Sequence, residues 1–203
     1  MNEHIVRLLD QLKAVEAELE AEYAKNRAEL RFGIEKGRVR FEEEVLRRHR
    51  ELQTSLRTYL ANAKPMIVLT APVIYAMIVP LLLLDISVSI YQAICFRAYG
   101  IPRVRRADYF VFDRGHLAYL NALEKLNCAY CSYANGLFAY ASEIGGRTEQ
   151  YWCPIKHARR TAGAHQYYRE FVDYGDADAY RQRIEELSKP TPEHPATPNH
   201  PPA

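Results

Sequence analysis

Hydrophobic positions follow different rhythms in successive parts of this chain. Near the N-terminus Ile5, Leu8, Leu12, Val15 and Leu19 alternate steps of three and four among Glu, Lys and Arg, the pattern of a coiled-coil seam. Gly33 and Gly37 in "RFGIEKG" fall where a helix would lose stability, and a second periodic stretch runs through Phe41, Val45, Leu52, Leu56 and Tyr59. Residues 1–62 are therefore expected to form a helical arm, either an antiparallel helical hairpin or a long bent rod. Such an arm assembles or spaces; it does not catalyse.

Periodicity then gives way to a continuous apolar run. Residues 66–96, "MIVLTAPVIYAMIVPLLLLDISVSIYQAICF", carry one charge, Asp85. The 19 uncharged residues from Met66 to Leu84 are long enough to cross a hydrocarbon core of about 30 Å at about 1.5 Å per residue. A signal peptide is excluded by the long polar stretch that precedes the run. The 31 residues of that run, the core of a membrane segment at 63–99, are awkward in length, too many for one crossing of about 20 residues and too few for two. Pro80 would kink a helix there, and Asp85 in hydrocarbon would cost about 3 kcal/mol unless it finds an interface or a partner. Two arrangements follow: a span at 66–84 followed by an interfacial helix at 86–99, or a re-entrant hairpin turning near Pro80 to Asp85. Arg47, Arg48, Arg50, Arg57 and Lys64 precede the run, and Arg97, Arg103, Arg105, Arg106 and Arg114 follow it. Positive charge on both flanks favours the hairpin, which leaves both termini cytoplasmic, and the second cluster suits anionic headgroups.

Helical periodicity returns in residues 100–188, a small helical domain. After the turn "GIPR" and a short extended piece at Tyr109 to Phe112, Asp113 is a candidate N-cap for a long helix in which Leu117, Leu120, Leu123 and Leu126 recur, with Gly145-Gly146 as its stop. A second helix is expected to begin at "WCPIKHARR", with Cys153 as N-cap and Pro154 in the first turn. Shorter helices follow near 165–174 and 176–188. Residues 189–203, "KPTPEHPATPNHPPA", read as a disordered tail. The chain as a whole is expected to be mainly α.

Composition adds little except at the cysteines. With 48% hydrophobic residues, 26% charged and a net charge of +2, and with basic residues interspersed among acidic ones, nucleic acid is not an expected partner. No phosphate loop, dinucleotide fingerprint, Ser/His/Asp arrangement or paired-carboxylate motif occurs, so no reaction is assigned. "NCAYCSYANG" supplies Cys128 and Cys131 on a polar helical stripe with Asn121, Glu124 and Asn135; "CPIKH" supplies Cys153 and His157 four residues apart. Three thiolates and an imidazole suit tetrahedral zinc or an iron–sulfur cluster held between two helices. Glu124 is a candidate outer partner for His157, and His116 a reserve ligand. Two alternatives stand beside the metal site. Cys128/Cys131 or Cys153 could exchange disulfides in a membrane-tethered oxidoreductase, or the cysteines could be inert packing residues.

The Cys-x3-His half is similar to the terminal half of NEET-type [2Fe–2S] proteins, whose first two cysteines are spaced differently. The run "EKLNCAYCSYANGLFAYASEIGGRTEQYWCPIKHARR", with the preceding hydrophobic stretch, resembles a family of uncharacterised bacterial membrane-associated proteins over roughly residues 65–180. The resemblance implies a bacterial inner-membrane setting and no particular activity. Together these readings give a membrane-anchored Cys3His metal protein with a structural or electron-transfer role, its partners being the lipid bilayer and, through the N-terminal arm, a second copy.

Overall fold

The computed structural model describes residues 3–29, 32–35 and 38–188; the Pro-rich tail at 189–203, Gly37 and the side chain of Ile5 lie outside them. The described residues are mainly helical. They fall into two compact units, one made of residues up to 60 with 113–126, the other of 61–112 with 127–188.

The first unit opens with α1 (Glu3–Glu29), a single 27-residue helix. Leu8, Leu12, Val15, Leu19 and Tyr23 on it are all exposed. The helical hairpin or bent rod does not form as expected. Strands β1 (Phe32–Glu35) and β2 (Arg38–Phe41) pair antiparallel, with Phe32 opposite Phe41 and Glu35 opposite Arg38. The physical reason lies in the strand residues themselves: Phe32 and Ile34, then Val39 and Phe41, recur at every second position, which is strand periodicity rather than that of a broken helix. Two short helices follow, α2 (Glu43–Glu51) and α3 (Leu56–Ala61). His49 on α2 meets the rings of Phe41 and Tyr119 edge-on at 5.1 and 5.0 Å.

The second unit is built on one long helical run. α4 (Pro65–Ala76) passes through a break at Met77 into α5 (Ile78–Tyr91), a π-helical stretch at Gln92–Phe96 and the last turn, α6 (Arg97–Tyr99). Pro80 lacks the N–H that would bond the Ala76 carbonyl, which accounts for the break one turn earlier. The run is long and apolar enough to cross a membrane. It makes no reversal near Pro80 to Asp85, so the re-entrant hairpin is not the structure; a kinked helix is cheaper than opening a turn whose backbone groups would need new partners. Gly100, with φ +69, ends the run in the left-handed conformation that glycine adopts without strain, and the Ile101 N–H donates back to the Phe96 carbonyl at 2.8 Å.

α7 (Ala122–Trp152) is a single 31-residue helix. It starts later than expected: Asp113 opens a short 3-10 turn to His116, and Asn121 is the cap, its Oδ1 accepting from the N–H groups of Leu123 and Glu124 at 3.0 and 3.1 Å. Nor does Gly145-Gly146 stop it. Gly146 lets the His165 ring approach, since a Cβ there would lie 2.8 Å from that ring. The helix ends at Trp152 because Cys153 precedes Pro154, and the residue before a proline is pushed out of the helical region. No second helix begins there. Residues 153–157 run extended instead, Ile155 bridging Val172 in parallel, with Lys156 N–H donating to Val172 O and Val172 N–H to Pro154 O, each at 2.8 Å. A 3-10 turn at Gln166–Glu170 and α8 (Ala177–Ser188) complete the unit.

The core of the second unit lies between α5 and α7. Leu81 and Phe96 meet Leu137, Tyr140 and Ile144, with Val104 from the returning chain. Buried Gln92 ties the three segments: it donates to the Tyr140 hydroxyl at 2.7 Å and accepts from the Val104 N–H.

Candidate functional site

Asp85 stands in the apolar run, 8% exposed, and the fold gives it the partner its surroundings demand. The Arg106 guanidinium takes it with both terminal nitrogens, Nη2 to Oδ2 at 2.6 Å and Nη1 to Oδ1. Tyr133 donates its hydroxyl to Oδ2 at 2.9 Å from α7, and Ser89 donates to Oδ1 at 3.4 Å from the next turn of α5. Arg106 lies over the Phe110 ring at 4.1 Å, so its far face is covered by an aromatic that attracts the cation. The hydrogen bond to Asp85 carries the Arg106 guanidinium further above its ordinary value. Burial and then the bond to Asp85 push the Tyr133 phenol up. A lone acid in an apolar run and a basic cluster after it were both visible in the sequence; that Arg106 and Tyr133 in particular would converge on Asp85 was not.

A second polar cluster sits near the end of α7. Glu143, 6% exposed, accepts from Arg147 Nε at 2.8 Å, from Gln166 Nε2 at 3.1 Å and from the Tyr167 hydroxyl. Arg147 also donates to the Pro102 carbonyl at 2.7 Å. Further along the same helix, Glu149 Oε2 and His165 Nε2 are 2.7 Å apart. Tyr109 is pushed up to about 12, chiefly by burial and then by the charge of Glu143. Both carboxylate oxygens of Glu143 are engaged, joining α7 to Gln166 and Tyr167 and, through Arg147, to Pro102, which is the work of a brace.

The expected ligands do not converge. Cys128 and Cys131 lie early on α7, half-buried and exposed respectively, and Cys153 lies exposed just past its end. The unbroken helix between Cys131 and Cys153 rises about 33 Å at about 1.5 Å per residue, where metal–sulfur bonds of about 2.3 Å would need them side by side. His157 is near Cys153 in sequence but exposed, its ring stacked on Tyr168 at 6.0 Å. Among the described residues no three His, Cys, Asp or Glu side chains are grouped to hold a metal ion. Glu124 is otherwise employed, accepting the Asn121 N–H at 2.9 Å to close a capping box with Asn121. His116 is exposed on its 3-10 turn. Cys128 and Cys131 are free thiols about one helical turn apart on α7, and Cys153 is a free thiol just past its end.

What the geometry assembles instead is an apolar surface. On the outer face of the long helix Leu69, Leu83 and Ile94 are 73%, 61% and 65% exposed, with Val73, Ile86 and Ile90 between them. At its C-terminal end Tyr99 stacks on Tyr151 at 5.6 Å and meets Trp152 edge-on at 5.3 Å, with Arg97 exposed beside them in sequence. In comparisons with protein-family models, curated proteins and solved structures, none matches the chain.

Proposed function

We propose that this chain is a membrane-anchored structural protein: the helix Pro65–Tyr99 embeds in lipid, and the N-terminal arm presents its seam to a second copy. The observation that carries the reading is the row of exposed Leu, Ile and Val along the outer face of that helix. Soluble monomers rarely leave a contiguous apolar patch of that extent uncovered, and lipid is the solvent that rewards it. The Tyr99, Tyr151 and Trp152 cluster with Arg97 supports the same reading, because amphipathic aromatics and arginine gather at the membrane–water boundary. Asp85 does not oppose it, since its charge is matched by Arg106.

Flotation of the purified chain with phosphatidylethanolamine/phosphatidylglycerol vesicles tests the anchor. Wild type should float, and a variant carrying Leu69→Glu, Leu83→Glu and Ile90→Glu should stay in solution with unchanged helicity. Wild type remaining in solution would defeat the proposal. The arm is tested separately by Leu12→Asp, which should reduce oligomer size without releasing the protein from vesicles.

A further inference from the structure

We propose that the Pro65–Tyr99 helix lies within one leaflet instead of crossing the bilayer, so that the segments before Pro65 and after Tyr99 stay on the same side. The inference rests on the membrane-anchoring reading and deepens it. It starts from what lies along the inner face of the helix. α7 runs parallel to it: Tyr75 donates to Asn127 Oδ1, Tyr130 donates to the Ile74 carbonyl at 2.8 Å, Tyr133 reaches Asp85, Tyr140 meets Gln92, and Tyr151 stacks on Tyr99. From Tyr75 to Tyr99 that ladder covers about 36 Å, more than the hydrocarbon thickness of about 30 Å.

Whatever depth the helix reaches, its neighbours reach too. From Gly100 the chain turns back along this pair, held by Val104 to Gln92, Arg106 to Asp85 and the Pro102 carbonyl to Arg147. That returning segment has irregular backbone and exposes Arg103 and Arg105. In lipid its peptide groups would go unsatisfied, and each charge would cost about 3 kcal/mol on insertion scales. At the other end of the ladder Lys125 precedes Asn127 on α7 by two residues, so the level of Tyr75 is not free to sit at the centre of a bilayer either. Among the described residues, the part of the helix that precedes its first bond to α7, at Ile74, is the stretch 65–73, about 14 Å of helix against about 30 Å to cross. It is exposed and apolar on nearly all sides. From Ile78 onward one face meets protein and the other, through Leu83, Ile86, Ile90 and Ile94, is left for lipid. That division describes a helix lying in the interface, sunk about 5–10 Å below the headgroups. Arg97, Arg103 and Arg105 suit anionic lipid at the same level.

Two measurements in phosphatidylethanolamine/phosphatidylglycerol vesicles test it. The wild-type chain has one tryptophan, Trp152, at the aromatic end of the helix. In-plane docking predicts a blue-shifted emission quenched more strongly by lipids brominated near the headgroup than by lipids brominated at the chain end. In the second, Cys95, Cys128, Cys131 and Cys153 are replaced by Ala, and spin labels are attached one at a time through Leu83→Cys, Ile86→Cys, Ile90→Cys and Ile94→Cys. Depth read from oxygen and nickel-chelate access should be the same at all four within about 3 Å, whereas a crossing helix would change depth by about 16 Å between Leu83 and Ile94. A graded depth would overturn the in-plane arrangement while leaving the anchor intact. Full nickel access at every label, with unquenched Trp152, would overturn the anchor itself. Exclusion of both reagents with dipolar broadening would place a second copy on this face and overturn the lipid assignment.

Discussion

Asp85 and Cys153 pose the same problem, a polar or reactive side chain beside a hydrophobic helix, and the fold answers them in opposite ways. Asp85 is met by a guanidinium, a phenol and a hydroxyl from three stretches of chain. Cys153 and its expected companions stay apart, spread over the length of α7. The difference lies in what each arrangement costs when incomplete. A carboxylate in an apolar wall must be satisfied or it destabilises the fold, whereas an exposed thiol tolerates isolation.

The largest effect should come from breaking the satisfied site. Arg106→Ala leaves Asp85 with only Tyr133 and Ser89, and because the Arg106 side chain is itself 46% exposed the loss should be about 2 kcal/mol, measured by denaturant unfolding in detergent. Replacing both partners, Asp85→Leu with Arg106→Met, should recover most of it. If the double variant is no better than Arg106→Ala, the contribution of Arg106 lies in its contact with Phe110 and not in the ion pair.

Next in size is a change that displaces the segment carrying Arg106. A Cβ at Gly136 would lie 2.6 Å from the Tyr109 carbonyl oxygen and 3.3 Å from the Phe110 ring. Backbone cannot give way as a flexible side chain can, so Gly136→Ala should cost about 1–2 kcal/mol and loosen amide-exchange protection across residues 104–110. Unchanged protection there would mean the segment is held by its polar ties alone.

A smaller, pH-dependent loss should follow from Tyr109. Its phenol titrates at 10.0 when free and about 12 in the fold, so between those values the native state keeps a proton that the unfolded state has released. The neutral phenol's contribution is complete below pH 10 and falls as pH rises towards 12. Alkaline titration of the melting temperature should show this decline, and Tyr109→Phe should make it shallower; an unaltered slope would assign the decline to other groups.

The smallest effects belong to the dispersed residues. Cys131→Ser, Cys153→Ser and His157→Ala should each shift stability by less than about 0.5 kcal/mol, and their effects should add. A shared loss of several kcal/mol, accompanied by loss of bound zinc or iron, would reverse the comparison and show that these side chains meet in a site after all.

The contrast also explains how far the residue pattern could be trusted. The long apolar run and the predominance of helix were legible because each follows from local periodicity and hydrophobic length. Asp85's need for a partner was legible as well, because an acid among leucines has few alternatives. The hairpin at Phe32 to Phe41 does not follow from glycine as a helix breaker; the alternation of Phe32, Ile34, Val39 and Phe41 carries it. The proposed metal centre depended on a helix break at Gly145-Gly146, and there glycine served close approach by His165 instead. A single unbroken helix turned a plausible spacing of ligands into a separation of about 33 Å.

Local sequence therefore determined that the chain is mainly helical and that it carries one long apolar helix, since these depend on dihedral preferences and side-chain hydrophobicity over a few residues. Tertiary structure decided the rest: that α7 runs parallel to the apolar helix, that the chain between them returns through polar ties, and that Arg106 among several arginines reaches Asp85. Those outcomes depend on bringing together residues distant in sequence, where loop closure, close approach at Gly136 and the need to satisfy buried charge act jointly, and no local pattern of residues encodes their sum.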